Sequence, residues 1–309
     1  MGGQESLFGG LLNETFNNSL RLPFSLWSSH MSVSCFHVGL SWIPILLAMI
    51  LSSTFFISYI LAIYKGSVEP DFPMISATGA VPPESCIFSQ GLNLSAFLSL
   101  ICCYIWYGIA SQQTRYMGTK QPRCLLKWCS VTGIIGSLGL SIVGNFQQMS
   151  VEVVHVIGAV MSFIGSIAYI LIMTHLCRRY LGYHSYYWAP RLCIGIGCIL
   201  SGISFVGCKM ALHLKNPDRP SSSLSRILPS DPVYAESVCS SASEWILGFL
   251  IILFFLTLAP EFRRYALQLP EVGKIKQLLF PYSRPETFLT PSTRICANMK
   301  NIVSAPCLF

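Results

Sequence analysis

Seven polar side chains in this sequence have the types and placement to do chemistry: Ser76, Thr78, Glu84, Asn145, Gln147, His155 and Glu244. They fall in or beside long apolar runs, where ionisable groups are costly and often functional. Glu152 and His155 stand three residues apart, which puts both on one helix face. That face suits a metal pair or an ordinary side-chain contact. Two ligands fall short of a metal centre, so no metal is expected. The chemistry the set supports is a pocket for a lipid headgroup or a small molecule. The structural alternative is equally concrete. Glu84 and Glu244 each stand where a helix starts, and a carboxylate there meets the positive dipole end. Asn145 and Gln147 can satisfy backbone groups at a helix end. No nucleophile elbow, P-loop, HExxH or dinucleotide fingerprint occurs. No cofactor is expected, and the residues by themselves stop short of a reaction.

The elements that must position these groups are membrane spans. The 309 residues are 52% hydrophobic and only 11% charged, against roughly 25% charged in a soluble domain. A membrane helix needs about 20 mostly apolar residues, and six segments qualify. They run from Ser41 to Tyr64, Cys86 to Ala110, Leu125 to Phe146, Val151 to Cys177, Leu192 to Leu212 and Ser243 to Pro260. Ser41 is placed to cap the first, with Pro44 in its first turn. Pro82, Pro83 and Glu84 open the second, and Pro260 closes the sixth. The first forty residues lack a basic stretch leading into an apolar core and a cleavage site, so the first run is expected to remain as a span. The expected fold is all-α: a polytopic bundle of six transmembrane helices over 41–260, with tails 1–40 and 261–309.

Lys and Arg in the short links set the orientation. The second link and its borders carry Arg115, Lys120, Arg123 and Lys127; the fourth carries Arg178, Arg179 and Arg191. The first link sets Lys65 against Glu69, Asp71 and Glu84, and the third has neither Lys nor Arg. The second and fourth links are therefore expected in the cytosol, together with both termini. The tail after Pro260 agrees, with Arg263, Arg264, Lys274, Lys276, Arg284, Arg294 and Lys300. That tail is a candidate surface for anionic lipid or a cytosolic protein, while nothing points to nucleic acid. On this topology the sequons at Asn13 and Asn17 are silent, as is Asn93 within a span. The seven candidate residues then collect at the non-cytosolic end.

Small residues four apart let membrane helices approach closely. Gly133, Ser137 and Ser141 form such a stripe on the third span, and Gly158, Ser162 and Ser166 on the fourth. The short link between these spans predicts an antiparallel pair packed along the two stripes. Most of the thirteen cysteines lie in apolar runs and behave as small hydrophobes. Cys86 and Cys239 lie near non-cytosolic span ends, where a disulfide is permitted, and are a candidate pair. Cys177, beside Arg178 and Arg179, is a candidate for palmitoylation.

Three stretches go further. Residues 72–90 read FPMISATGAVPPESCIFSQ, residues 143–148 read VGNFQQ with His155 following, and residues 242–245 read ASEW ahead of the last span and Glu261-Phe262-Arg263. In that order they resemble the damage-regulated autophagy modulator family and the close transmembrane protein 150 group, over about residues 41–263. More distant members include yeast regulators of phosphoinositide 4-kinase and a GPI-anchor remodelling factor. The resemblance implies six spans and cytosolic tails. It also implies lysosomal, endosomal or plasma membranes, and a role in autophagy and cell survival or apoptosis without an established catalytic activity. The matching positions are Ile75, Ser76, Gly79, Pro82, Pro83, Glu84, Ser85, Asn145, Phe146, Gln147, His155, Glu244 and Trp245. Cys86 after PPES follows the transmembrane protein 150 branch, which leans toward the cell surface and phosphoinositide kinase scaffolding. A lipid-modifying enzyme built on Glu84, His155 and Glu244 is the third function to weigh.

Overall fold

Every apolar run becomes a helix, because a chain crossing hydrocarbon must satisfy its backbone polar groups internally. The computed structural model describes residues 39–117, 123–215 and 228–266. Within them lie α1 (Trp42–Lys65), α2 (Ile75–Thr78), α3 (Glu84–Tyr116), α4 (Arg123–Asn145), α5 (Glu152–Arg179), α6 (Ser185–Lys215), α7 (Tyr234–Leu256) and α8 (Ala259–Phe262). No strand occurs among the described residues. All the long helices, with α7 and α8 forming the last span, are long and apolar enough to cross a membrane, and there are six of them. The molecule is a multi-pass membrane protein. The sequons at Asn13 and Asn17 and most of both tails lie outside the described residues.

The helices run past the predicted span limits at several ends. α6 begins at Ser185 and contains Pro190 and Arg191, which the charge pattern placed in a link. α7 begins at Tyr234, well before Ser243, through the polar stretch Glu236–Ser243. Hydropathy marks where hydrocarbon ends, whereas helical hydrogen bonding continues beyond it. Pro260 does not close α7; the chain breaks at Thr257 and Pro260 opens α8, where a proline costs no hydrogen bond. α1 ends as a left-handed cap requires, with Gly66 at φ 68° and its N–H donating to Ile63 O.

Consecutive long helices pack against one another, and α7 returns to α1, closing the ring. The outward faces carry large apolar residues, among them Met49, Phe56, Ile60, Ile164, Leu200 and Ile203, as a lipid-facing surface demands. Inside, Trp106, Tyr169 and Phe254 are fully buried and meet edge to face, with centroids at 6.4 and 5.8 Å.

The α4–α5 pair is the most extensive contact in the bundle. α5 uses Gly158, Ser162 and Ser166, as their spacing predicts, together with Gly165, which the spacing does not single out. α4 turns Ser137 and Ser141 away from this seam, while Gly133 lies between Cys103 of α3 and the Tyr169 ring of α5. Its closest approach to α5 is through Gly136 and Gly139, which lie against the backbone of Ser166, Ser162 and Gly158. The predicted stripe turns toward α3: Ser137 Oγ lies 2.8 Å from Ser99 Oγ, and Ser141 Oγ–H donates to Asn93 Oδ1 at 2.6 Å. A helix squeezed between two neighbours carries two small-residue faces, and the hydroxyl face chose the hydroxyl partner.

Candidate functional site

The 66–83 link folds over one end of the bundle, and α7 holds it there. Ile75 opens the four-residue α2, and Met74 at the N-cap position provides no side-chain bond. The first amides of a helix have no partner within it. Glu244 supplies one: its Oε2 accepts the Ile75 N–H at 2.9 Å. Beside it, Trp245 Nε1–H donates to Pro73 O at 2.9 Å. The indole stacks on Phe249 (centroids 5.8 Å, planes 27° apart) and meets Phe55 and Tyr59 edge on. Tyr59 adds a third tie, its hydroxyl donating to Pro70 O at 3.0 Å. These bonds form a clamp on the link, and we call this the clamp end of the bundle. It is the end that the link charges assign to the non-cytosolic side.

The remaining candidate residues divide. Ser76 Oγ–H donates to Gln148 Oε1 at 2.8 Å, tying the link to the α4–α5 turn. Gln148, rather than its neighbour Gln147, makes this bond; Gln147 contributes its backbone carbonyl to Ser150 and Val151. Thr78 closes its own turn, donating to Ile75 O at 2.7 Å. Asn145 and Asn93 exchange amide hydrogen bonds at 2.9 and 3.0 Å, joining α4 to α3. His155 is buried with Nδ1 2.7 Å from Phe146 O. A carbonyl only accepts, so Nδ1 carries the proton, and the ring ties off the end of α4. Glu84 is fully buried, and neither carboxylate oxygen has a hydrogen-bond partner among the described residues.

Lys209 on α6 lies within electrostatic reach of Glu244 and Glu152. Its signal in the sequence was a lysine within the apolar run Gly207–Leu212, where a charge requires a partner. No group of metal-binding residues assembles among the described residues.

The cysteine pairing expected for Cys86 and Cys239 is not the one the fold brings together. Cys86 borders the outer face of α1, near Met49 and Ile57. Cys239 Sγ instead lies 2.8 Å from Cys208 Sγ on α6. The seam between α6 and α7 decides this, since the two helices are direct neighbours. Cys177 likewise departs from expectation. It is fully buried, and Arg191 Nη1–H donates to its sulfur at 3.5 Å, so it offers no exposed thiol for acylation.

Removing the clamp has a local consequence. Glu244→Ala leaves the Ile75 N–H without its acceptor, and a deleted partner of a buried group costs about 1–3 kcal/mol. Hydrogen exchange over residues 74–78 is expected to accelerate several-fold, with the α4–α5 seam unchanged. Unaltered exchange there would show that Glu244 does not hold the link.

Residues 39–265 match the family model described as the Frag1/DRAM/Sfk1/Cwh43P N-terminal domain. DNA damage-regulated autophagy modulator protein 2 of Rattus norvegicus is 32% identical over 238 residues, spanning 75% of this chain and 87% of that protein. DNA damage-regulated autophagy modulator protein 1 of Homo sapiens is 34% identical over 241 residues, 76% of this chain and 96% of that protein. The modulator of macroautophagy TMEM150B of Homo sapiens is 32% identical over 227 residues, 72% and 85% of the two chains. No solved structure matches.

Proposed function

This chain belongs to the Frag1/DRAM/Sfk1/Cwh43P family, and on that premise we propose that it is a non-enzymatic, multi-pass modulator of autophagy. It resides in endolysosomal or plasma membranes, with the clamp end facing the lumen or the extracellular space. The proteins it resembles over three quarters of its length are named as autophagy modulators. The observation that carries the reading is the clamp itself. Glu244, Trp245, Ser76, Asn145 and His155, five of the polar residues at positions of the family resemblance, are engaged in holding the link and the helix ends. They order a surface rather than poise a nucleophile beside a base. Glu84 is the exception, a buried carboxylate with no hydrogen-bond partner among the described residues.

The test is autophagic flux under starvation in cells lacking the protein. Flux is expected to change on deletion and to return with the wild-type chain. Unchanged flux in the deleted cells would remove the functional reading. Purified protein turning over a lipid panel, with loss of activity in His155→Ala, would replace it with an enzymatic one.

A further inference from the structure

We propose that Cys208 and Cys239 form a disulfide that staples α6 to α7 at the clamp end. The sulfurs lie 2.8 Å apart, which leaves less than an ångström to close to the ~2.05 Å of a bond. The approach is not an isolated coincidence of two side chains. Ser204 and Ser243 meet on the same seam at 2.8 Å, and Ser201 Oγ–H donates to Ser243 O at 3.0 Å. Beyond the sulfurs, Lys215 pairs with Glu236. Residues 201, 204, 208 and 215 of α6 therefore run in fixed register against 243, 239 and 236 of α7. Contacts on both sides hold the two cysteines opposite each other before any covalent bond exists.

Exposure gives the order of events. Cys239 is exposed and Cys208 is half-buried. The oxidant is a disulfide-carrying oxidoreductase of the secretory lumen. The Cys239 thiolate attacks its disulfide, and one oxidant thiolate leaves. The Cys208 thiolate then attacks the Cys239 sulfur and expels the second. Two protons leave the cysteines, and two electrons reduce the oxidant to its dithiol.

The bond bears on function through the residues that follow it. Ser243, Glu244 and Trp245 are the next turn of α7, so the staple fixes the turn that presents the clamp. It rests on the orientation proposed above, since the cytosol would keep both thiols reduced.

The test uses the full-length protein in cells. Free thiols are blocked with N-ethylmaleimide during denaturing lysis. Disulfides are then reduced, and the released thiols are counted with a maleimide-polyethylene glycol. Two adducts are expected on the wild-type chain, and both are expected to vanish in Cys208→Ser and in Cys239→Ser. A linked peptide pair containing Cys208 and Cys239, found by mass spectrometry of the unreduced wild-type protein, confirms the pairing without a variant. Adducts that persist in both serine variants would overturn the proposal. So would their absence from the wild type. In that last case, isolated membranes treated with a mild oxidant separate the causes. A bond formed only then shows that the orientation premise failed; no bond even then shows that the geometry failed. A glycosylation acceptor inserted between residues 216 and 227 reports the orientation independently, through its modification or lack of it.

Discussion

Arg191→Ala is expected to lower the stability of the bundle by about 3–5 kcal/mol, the range for breaking a buried ion pair by deleting one partner. Arg191 is fully buried within α6, and its Nη2 lies 2.5 Å from Glu261 Oε1. Its Nε–H donates to Thr257 Oγ1 and its Nη2–H to Thr257 O, both at 2.9 Å. Thr257 and Glu261 lie on either side of the break between α7 and α8, so one guanidinium binds the freed carbonyl at the break and the helix beyond it. Leu40 N–H donates to Phe262 O at 3.0 Å, and the entry to α1 is held through the same corner. The substitution leaves Glu261 buried without its counter-charge. The readout is the thermal midpoint of the detergent-solubilised protein. Arg191→Lys is expected to rescue little, because an ammonium lacks the planar fork that reaches three partners. Arg191→Leu combined with Glu261→Leu is expected to recover much of the loss, since a packed apolar pair often equals a buried ionic one. A double variant no better than the single would show that the pair is not the source of the effect.

Gly139→Ala is the second large effect. A Cβ at this position would sit 2.3 Å from Ser162 N and 2.6 Å from Gly158 O. Both atoms are backbone, so no rotamer change relieves the clash and the two helices must part. Overpacking typically costs about 1–3 kcal/mol and more where nothing yields. This seam is the most extensive in the bundle, and the cost is expected at the upper end. Gly165→Ala, whose Cβ would lie 2.6 Å from Gly136 N, is expected to behave alike. Gly108 is the control: nothing lies within 4 Å of a Cβ there. Alanine at 108 is expected to be neutral or to stabilise by up to about 1 kcal/mol, the helix-propensity gain. Equal thermal midpoints for the 108 and 139 variants would contradict the packing described.

The six helices were legible because hydrocarbon permits few solutions to backbone hydrogen bonding. The residues later found in the clamp were legible from their types: a glutamate and tryptophan before an apolar run, and a proline-rich acidic link. What they touch was not. Nothing in the sequence places Glu244 on the amide of Ile75, because the two are 169 residues apart and meet only when α7 closes the ring on α1. Gly136 and Gly139, three residues apart, escape a search for small residues four apart, and spacing alone does not say which of two faces meets which neighbour. Arg191 reads as a loop charge because the apolar run starts only at Leu192; the helix starts earlier, at Ser185, and accommodates Pro190 in its second turn. Cys208 read as a small hydrophobe for the same reason as its apolar-run neighbours, and only the α6–α7 register sets it against Cys239.

The central proposal is that this multi-pass membrane protein acts in autophagy and does so through the clamp on the 66–83 link. Its most direct test is rescue of starvation-induced flux in cells lacking the protein, by a chain carrying Glu244→Ala and Trp245→Phe, at membrane abundance matched to wild type. That variant removes the bonds to Ile75 and Pro73 while keeping an aromatic ring in the stack. The account predicts that the wild-type chain restores flux and the variant does not. Full rescue by the variant would contradict it.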